Sequence, residues 1–393
     1  MNNDKVQHLR NVPNLRFGSF NEEWSSISLD KIVDVNPKTD VPKNFKYISL
    51  ESVVNGVLLS TTDEHKDTAP SRAQRKLEIN DVLYQTVRPY QLNNFIFNIN
   101  DSNSYVASTG YAQLRAKGKN YYKFVYNKLH TNNFTNSVLV RCTGTSYPAI
   151  NSTVLSKIKV FAPKSQEQEK IGNSLSILDR KIELLEHKLE ALKLFKKGLS
   201  NKLVLEHCNS QNLVRIKSFA DVVTGTTPST KDHEFYNGDI VWITPTDIDD
   251  NMYINKSKKL LTEKGLAKGR IIPKYSLLVT CIASIGKNAI ISVDGSCNQQ
   301  INAVLPSKSH ESEYLYHYFN VHYNLLDSLA GAGGMKMLSK SDFENVKIHL
   351  PSIKIQKRIS DVLRNYENKI ELMNQQLETL KQFKKGLLQQ MFV

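Results

Sequence analysis

Eight residues, LKLFKKGL at 192–199, return as LKQFKKGL at 380–387. The likeness extends outward on both sides. Residues 163–203 and 351–391 align without a gap at an offset of 188, and 17 of the 41 positions are identical. The chain therefore contains an internal duplication. Each copy carries a heptad. Ile171, Leu175, Leu178, Ile182, Leu185, Leu189 and Leu192 step by four and three, and Ile359, Leu363, Tyr366, Ile370, Met373, Leu377 and Leu380 repeat the same steps. This is the narrow apolar seam of a coiled coil, and a narrow seam needs a partner. The simplest partner for one copy is the other. Pro163 and Pro351 stand where a helix may start but not continue. The step shortens to three at Phe195 and Phe383, which reads as a local overwinding of both seams.

The residues ahead of each helix form two segments of similar length. INSTVLSKIKVFAP (150–163) stands opposite LSKSDFENVKIHLP (338–351) at the same offset of 188. LEINDVLYQTVRP (77–89) resembles IIPKYSLLVTCIA (271–283), a polar turn leading into a β-branched strand. Short strands broken by Gly, Asn and Pro turns, with a few helices, make each head α+β. The organisation expected is a head over 1–162, a helix over 163–206, a second head over 207–350 and a second helix over 351–393. Paired antiparallel, the helices would give a pseudo-two-fold chain with two globular heads.

This ordered set resembles the specificity subunit of Type I restriction–modification systems. The resemblance rests on TGTTPSTKDHEFYNGDIVWITPTDI (224–248), GTSYPAINSTVLSKIKVFAP (144–163), VPNLRFGSFNEEW (12–24) and both helices with their KIEL and FKKGL blocks. It spans essentially the whole chain. One departure stands out. The first helix opens with QEQEKI, keeping the family's glutamate–glutamine pair, whereas the second reads IKIQKRI. The resemblance implies that each head is a target-recognition domain for one half of a split double-stranded DNA site. The helices would set the distance between the halves. The subunit would itself be non-catalytic, and would assemble with two modification subunits that methylate adenine and two restriction subunits that translocate and cut DNA.

The residues agree with binding rather than catalysis. Lys and Arg outnumber Asp and Glu by 52 to 38, for a net charge of +14. Each half of the chain is basic by itself, as expected of two surfaces that meet a polyanion. No G-x-x-x-x-G-K-[ST] loop occurs. The ten histidines never take metal-ligand spacing, so neither a metal nor a cofactor is expected. TDIDD (246–250) reads as a surface turn, and GAGG (331–334) as a loop that could approach a partner or a phosphate. No apolar run is long enough to cross a membrane, and four scattered cysteines suit the reducing cytoplasm.

DNA readers use Arg, Asn, Gln, Ser and Thr on base edges and Lys or Arg on phosphates. TVRPYQLNN (86–94) offers Arg88, Tyr90, Gln91, Asn93 and Asn94 in one loop, which could equally be an ordinary polar turn. Tyr147 in GTSYP and Thr226 and Thr227 in TGTTPST lie in hydroxyl-rich segments suited to phosphate contacts or to capping. Lys287, Asn298, Gln299 and Lys336 are the candidates in the second head. A coiled-coil adaptor whose two heads bind proteins is the second reading of the same features.

Overall fold

The computed structural model describes residues 11–208, 210–330 and 336–393. The chain divides into two compact units. One holds the residues up to Glu186 together with Gln375–Val393, and the other holds His187–Asn374.

In the first unit one sheet runs Val33–Val35, Tyr111–Ala116, Val82–Gln85, Phe95–Ile96, antiparallel throughout. A second sheet runs Thr62–His65, Asn44–Ile48, Tyr105–Ser108, Ala73–Lys76, and its two central strands are parallel. Val82–Gln85 and Tyr105–Ser108 are buried at every position, so their apolar residues form runs rather than an alternation. The core gathers Trp24, Tyr84, Phe124 and Phe134 with Leu388 from the end of the second long helix and Met391 and Phe392 just beyond it. Phe392 stacks on Phe124, 5.1 Å between ring centroids, and meets Trp24 edge-on.

The second unit repeats this plan. Val222–Thr224, Ile301–Val304, Leu277–Thr280 and Asn288–Ile291 pair antiparallel in that order, with Tyr253–Ile254 added at the edge. Its other sheet runs Leu260–Leu261, Tyr236–Ile243, Ser296–Cys297, again with a parallel pair. Here Val204, at the end of the first long helix, is buried in the core, and Leu199 and Leu203 pack against it. Val204 and Phe392 are equivalent positions of the repeat, related by its offset of 188. The tail of each repeat thus completes a core.

The long helices span Ser165–Leu205 and Ile353–Gln390. Within the first unit Lys381 pairs with Glu186 at 2.8 Å, and Lys384 pairs with Asp179. One number rises as the other falls, so the helices are antiparallel there. Within the second unit Lys196 pairs with Glu367, and the Phe195 ring lies 5.4 Å from Tyr366. Ile171, Leu175, Leu189, Ile359, Leu363, Ile370, Met373 and Leu377 are buried. Leu178, Ile182, Leu185, Leu192, Tyr366 and Leu380 are half-buried.

The overwinding expected at Phe195 and Phe383 does not occur. These rings are 54% and 56% exposed. The seam keeps its four–three step through Lys196 and Leu199, and through Lys384 and Leu387, all half-buried. A lysine fits because its methylene stem covers apolar surface while its ammonium reaches an acid on the other helix.

One buried amide anchors each helix to its head. Gln168 donates to the Pro163 carbonyl and to Asn120 Oδ1, each at 2.9 Å, and accepts the Tyr121 N–H at 3.0 Å. Gln356 donates to the Pro351 carbonyl at 2.7 Å and to the Ser309 carbonyl, and accepts the Glu311 N–H at 2.9 Å. The glutamine of the family pair therefore keeps its task in both copies. Only the preceding residue differs. Glu167 makes a twofold contact with Arg16, whereas Ile355 packs on the core.

Candidate nucleic-acid interface

In the first unit the strand Val82–Gln85 runs into a hooked loop. Arg88 adopts φ 54°, ψ 54°, a left-handed conformation that costs a non-glycine residue energy and persists where surroundings enforce it. Its N–H donates to the Pro148 carbonyl at 2.7 Å. The neighbouring Val87 bridges to Ala149, and Ile150 N–H donates to the Thr86 carbonyl at 3.0 Å. These bonds bring the 144–150 segment under the loop. The Arg88 guanidinium then lies 4.2 Å from the centroid of the Tyr147 ring.

Gln91 Oε1 accepts a hydrogen bond from Gln85 Nε2 at 2.9 Å, and the same amide donates to the Val87 carbonyl at 2.7 Å. Gln85 is buried, and its Oε1 has no hydrogen-bond partner among the described residues. Asn93 Oδ1 accepts the Asn55 N–H at 3.0 Å. Arg72, Gln85, Arg88, Gln91, Asn93 and Tyr147 all line one cleft of about 760 Å³. Tyr90 is exposed and is not among the lining residues. Asn94 does not line the cleft. It is buried, accepts the Gln85 N–H at 2.9 Å, and lies 3.3 Å from His130 Nε2. Burial holds the His130 imidazole below its usual pKa, so the ring is neutral. Sequence reasoning missed Arg72. Its carbonyl accepts the Thr109 N–H, a sheet contact that no local pattern announces.

The second unit holds the same hook with other side chains. Ala283 has φ 62°, and its N–H donates to the Lys336 carbonyl at 3.3 Å. Ile282 bridges to Met337, and Leu338 N–H donates to the Cys281 carbonyl at 2.9 Å. Lys336 Nζ is paired with Asp327 at 2.7 Å. Lys287 is exposed in the loop after Leu277–Thr280.

The remaining candidates gather around Cys297. Thr226 N–H donates to the Cys297 carbonyl at 2.8 Å, its carbonyl accepts Trp242 Nε1 at 3.1 Å, and Thr227 bonds to Gln299. Asn298 is buried and bonds Gln300 twice. Thr226 and Asn298 therefore hold the turn. Among the second-unit candidates Lys287, Thr227 and Gln299 are exposed, the last two bonded to each other.

Among the described residues no group of three or more His, Cys, Asp or Glu could hold a metal ion. Asp247 in TDIDD caps its own turn, accepting the Thr244 and Lys258 N–H groups at 2.9 and 3.0 Å. Residues 331–334 lie outside the described residues. No described helix is long and apolar enough to cross a membrane.

The family model of the Type I restriction modification DNA specificity domain matches residues 21–194 and again 211–382. The chain belongs to this family. The two specificity-domain matches cover most of the chain, and each ends inside a long helix. The MjaIX specificity subunit of Methanocaldococcus jannaschii is 34% identical over 185 residues, 46% of this chain and 43% of that protein. The HindI specificity subunit of Haemophilus influenzae is 23% identical, covering 89% of this chain and 95% of its own. The specificity-domain fold also has solved counterparts. The S subunit of the Type-I restriction–modification system from M. genitalium superimposes with a TM-score of 0.60 at 14% identity, covering 97% of this chain and 99% of its own. The HsdS subunit from Thermoanaerobacter tengcongensis gives 0.52 at 20% identity, covering 94% and 96%.

Proposed function

We propose that this chain is the DNA-recognition subunit of a Type I restriction–modification complex. Each unit reads one half of a bipartite double-stranded site, and separate subunits carry out adenine methylation and cleavage. The observation that carries this reading is the double match of the specificity-domain model, one match to each head with its helix. The net charge of +14 supplies the attraction to phosphate. Arg88, Gln91, Asn93 and Tyr147 in the first unit, and Lys287, Thr227 and Gln299 in the second, are the residues we place on DNA. Two modification subunits and two restriction subunits complete the complex in the cytoplasm. Equal numbers of identical partners suit a chain whose helices expose the same side chains twice. Leu184 and Leu372 are 52% and 59% exposed, and Phe195 and Phe383 are exposed alike, each pair occupying equivalent positions of the repeat.

The test is to express the chain with its modification subunit in a host lacking other adenine methylation and to sequence the methylome. A split motif with modified adenine in both halves is expected. Absence of any split motif would sink the reading. A protein-binding adaptor would instead bind its partner through an apolar interface whose affinity changes little with salt, where a DNA reader loses affinity steeply between low and moderate salt.

A further inference from the structure

We infer that positions 88 and 283 are one specificity slot written with two letters, and that Arg88 reads a guanine in the half-site of the first unit. The inference rests on the DNA-recognition reading above.

The equivalence of the two positions is geometric. Each sits three residues past a central strand, after Val82–Gln85 in one unit and after Leu277–Thr280 in the other. Both residues are left-handed, at φ 54° and 62°. Each donates its N–H to the carbonyl of a returning segment, at Pro148 or Lys336, which are equivalent positions of the repeat. The next two ladder contacts also match: Val87 with Ala149 and Ile282 with Met337, then Thr86 with Ile150 and Cys281 with Leu338. Even the rear of the hook agrees. Thr86 N–H donates to the Gly110 carbonyl at 2.9 Å, and Cys281 N–H to the Gln300 carbonyl at 2.8 Å.

A conformation unfavourable to any side chain has thus been kept in both units while the side chain itself changed from arginine to alanine. Folding explains the hook and gives no reason for the arginine. Arg88 makes no hydrogen bond through its guanidinium to the described residues; its neighbour is the Tyr147 ring. The contact with the Tyr147 ring places the guanidinium beside the cleft that both residues line and leaves its N–H edge for a ligand. A fixed fork with two parallel donors matches the O6 and N7 acceptors of guanine in the major groove. Ala283 presents only a methyl group, so the second unit reads no guanine through this slot.

The experiment measures methylation, by the complex of this chain with its modification subunit, of a DNA library randomised over one half-site at a time. Arg88→Ala is compatible with the backbone, because alanine already occupies the equivalent slot at φ 62°. It is expected to relax a guanine preference at a single position of one half-site by roughly 10-fold to 100-fold. Arg88→Lys keeps the charge but lacks the fork, and should relax the same position. Ala283→Arg should alter one position of the other half-site alone. Melting curves of the three variants confirm that each is folded, and Arg88→Lys carries the test if Arg88→Ala is not.

The inference is overturned if Arg88→Ala lowers methylation of all sequences alike while Arg88→Lys behaves as wild type, which marks a phosphate contact. It is also overturned if both Arg88 variants keep the wild-type motif, or if Ala283→Arg changes the same half-site as Arg88→Ala. A wild-type complex with no split motif would instead remove the DNA-recognition reading itself.

Discussion

Asp179 and Lys384 pair across the two long helices of the first unit, and Glu367 and Lys196 make the same pair in the second. The two acids, like the two lysines, are equivalent positions of the repeat at its offset of 188. Lys196 and Lys384 are the first lysines of the two FKKG blocks. The repeated octet is therefore a repeated contact: a lysine placed on an apolar seam, held by an acid, ahead of the tail that enters a head's core.

Reversing Lys196 to Glu sets two carboxylates against each other at a half-buried site. It should cost about 1–2 kcal/mol, the lost pair plus a repulsion of similar size. Glu367→Lys added to it should restore part of the loss. Thermal melting of the singles and the double forms the cycle, and additive losses would show that the two residues do not interact.

Gln168→Ala and Gln356→Ala each leave a backbone N–H and a proline carbonyl buried without a partner. Each should cost about 1–3 kcal/mol in denaturant unfolding. The two losses should be comparable, although Glu167 has no acidic counterpart at Ile355. A much smaller effect at Gln356 would mean that the glutamate, rather than the glutamine, anchors the helix.

Met373→Lys and Leu185→Lys separate depth from position. Met373 is buried, so an ammonium there loses its water and should cost several kcal/mol. Leu185 is half-buried, and a lysine stem can carry its charge out to solvent at lower cost. Calorimetric melting should rank Met373→Lys well below Leu185→Lys. Arg88→Ala should melt close to wild type.

Acid should weaken the second unit. Burial lowers His310 to about 4, and burial together with the nearby Lys196 ammonium lowers His317 to about 3. Both rings are neutral in the folded chain and would bind a proton more readily when unfolded. Their contribution is fully present above pH ~6.5 and is lost as the pH falls through about 4 for His310 and about 3 for His317. Melting temperature should therefore decline between pH 7 and 5, and His317→Leu should flatten the decline. A slope unchanged by that substitution would rule out His317 as a source.

The sequence by itself determined the duplication, the two long helices, their seams and the α+β heads. Helix periodicity is written along one dimension, and a 3.5-residue repeat can be read without knowing what it faces. The loop from Arg88 to Asn93 was visible too, because turn and amide residues cluster in a few positions. The rest depended on chain segments meeting. Arg72, Arg88 and Tyr147 share a cleft only because strands 62 to 116 cross-pair and the 148–150 segment returns beneath the hook. The match of Arg88 to Ala283 was hidden because the spacing between equivalent positions is wider there than the offset of 188 that the helices share. Nothing local distinguished Lys196 and Lys384 from solvated charges. Only the tertiary structure decided that they lie in the seam with acids opposite, and that Val204 and Phe392 end as core residues, since burial is a property of what surrounds a side chain.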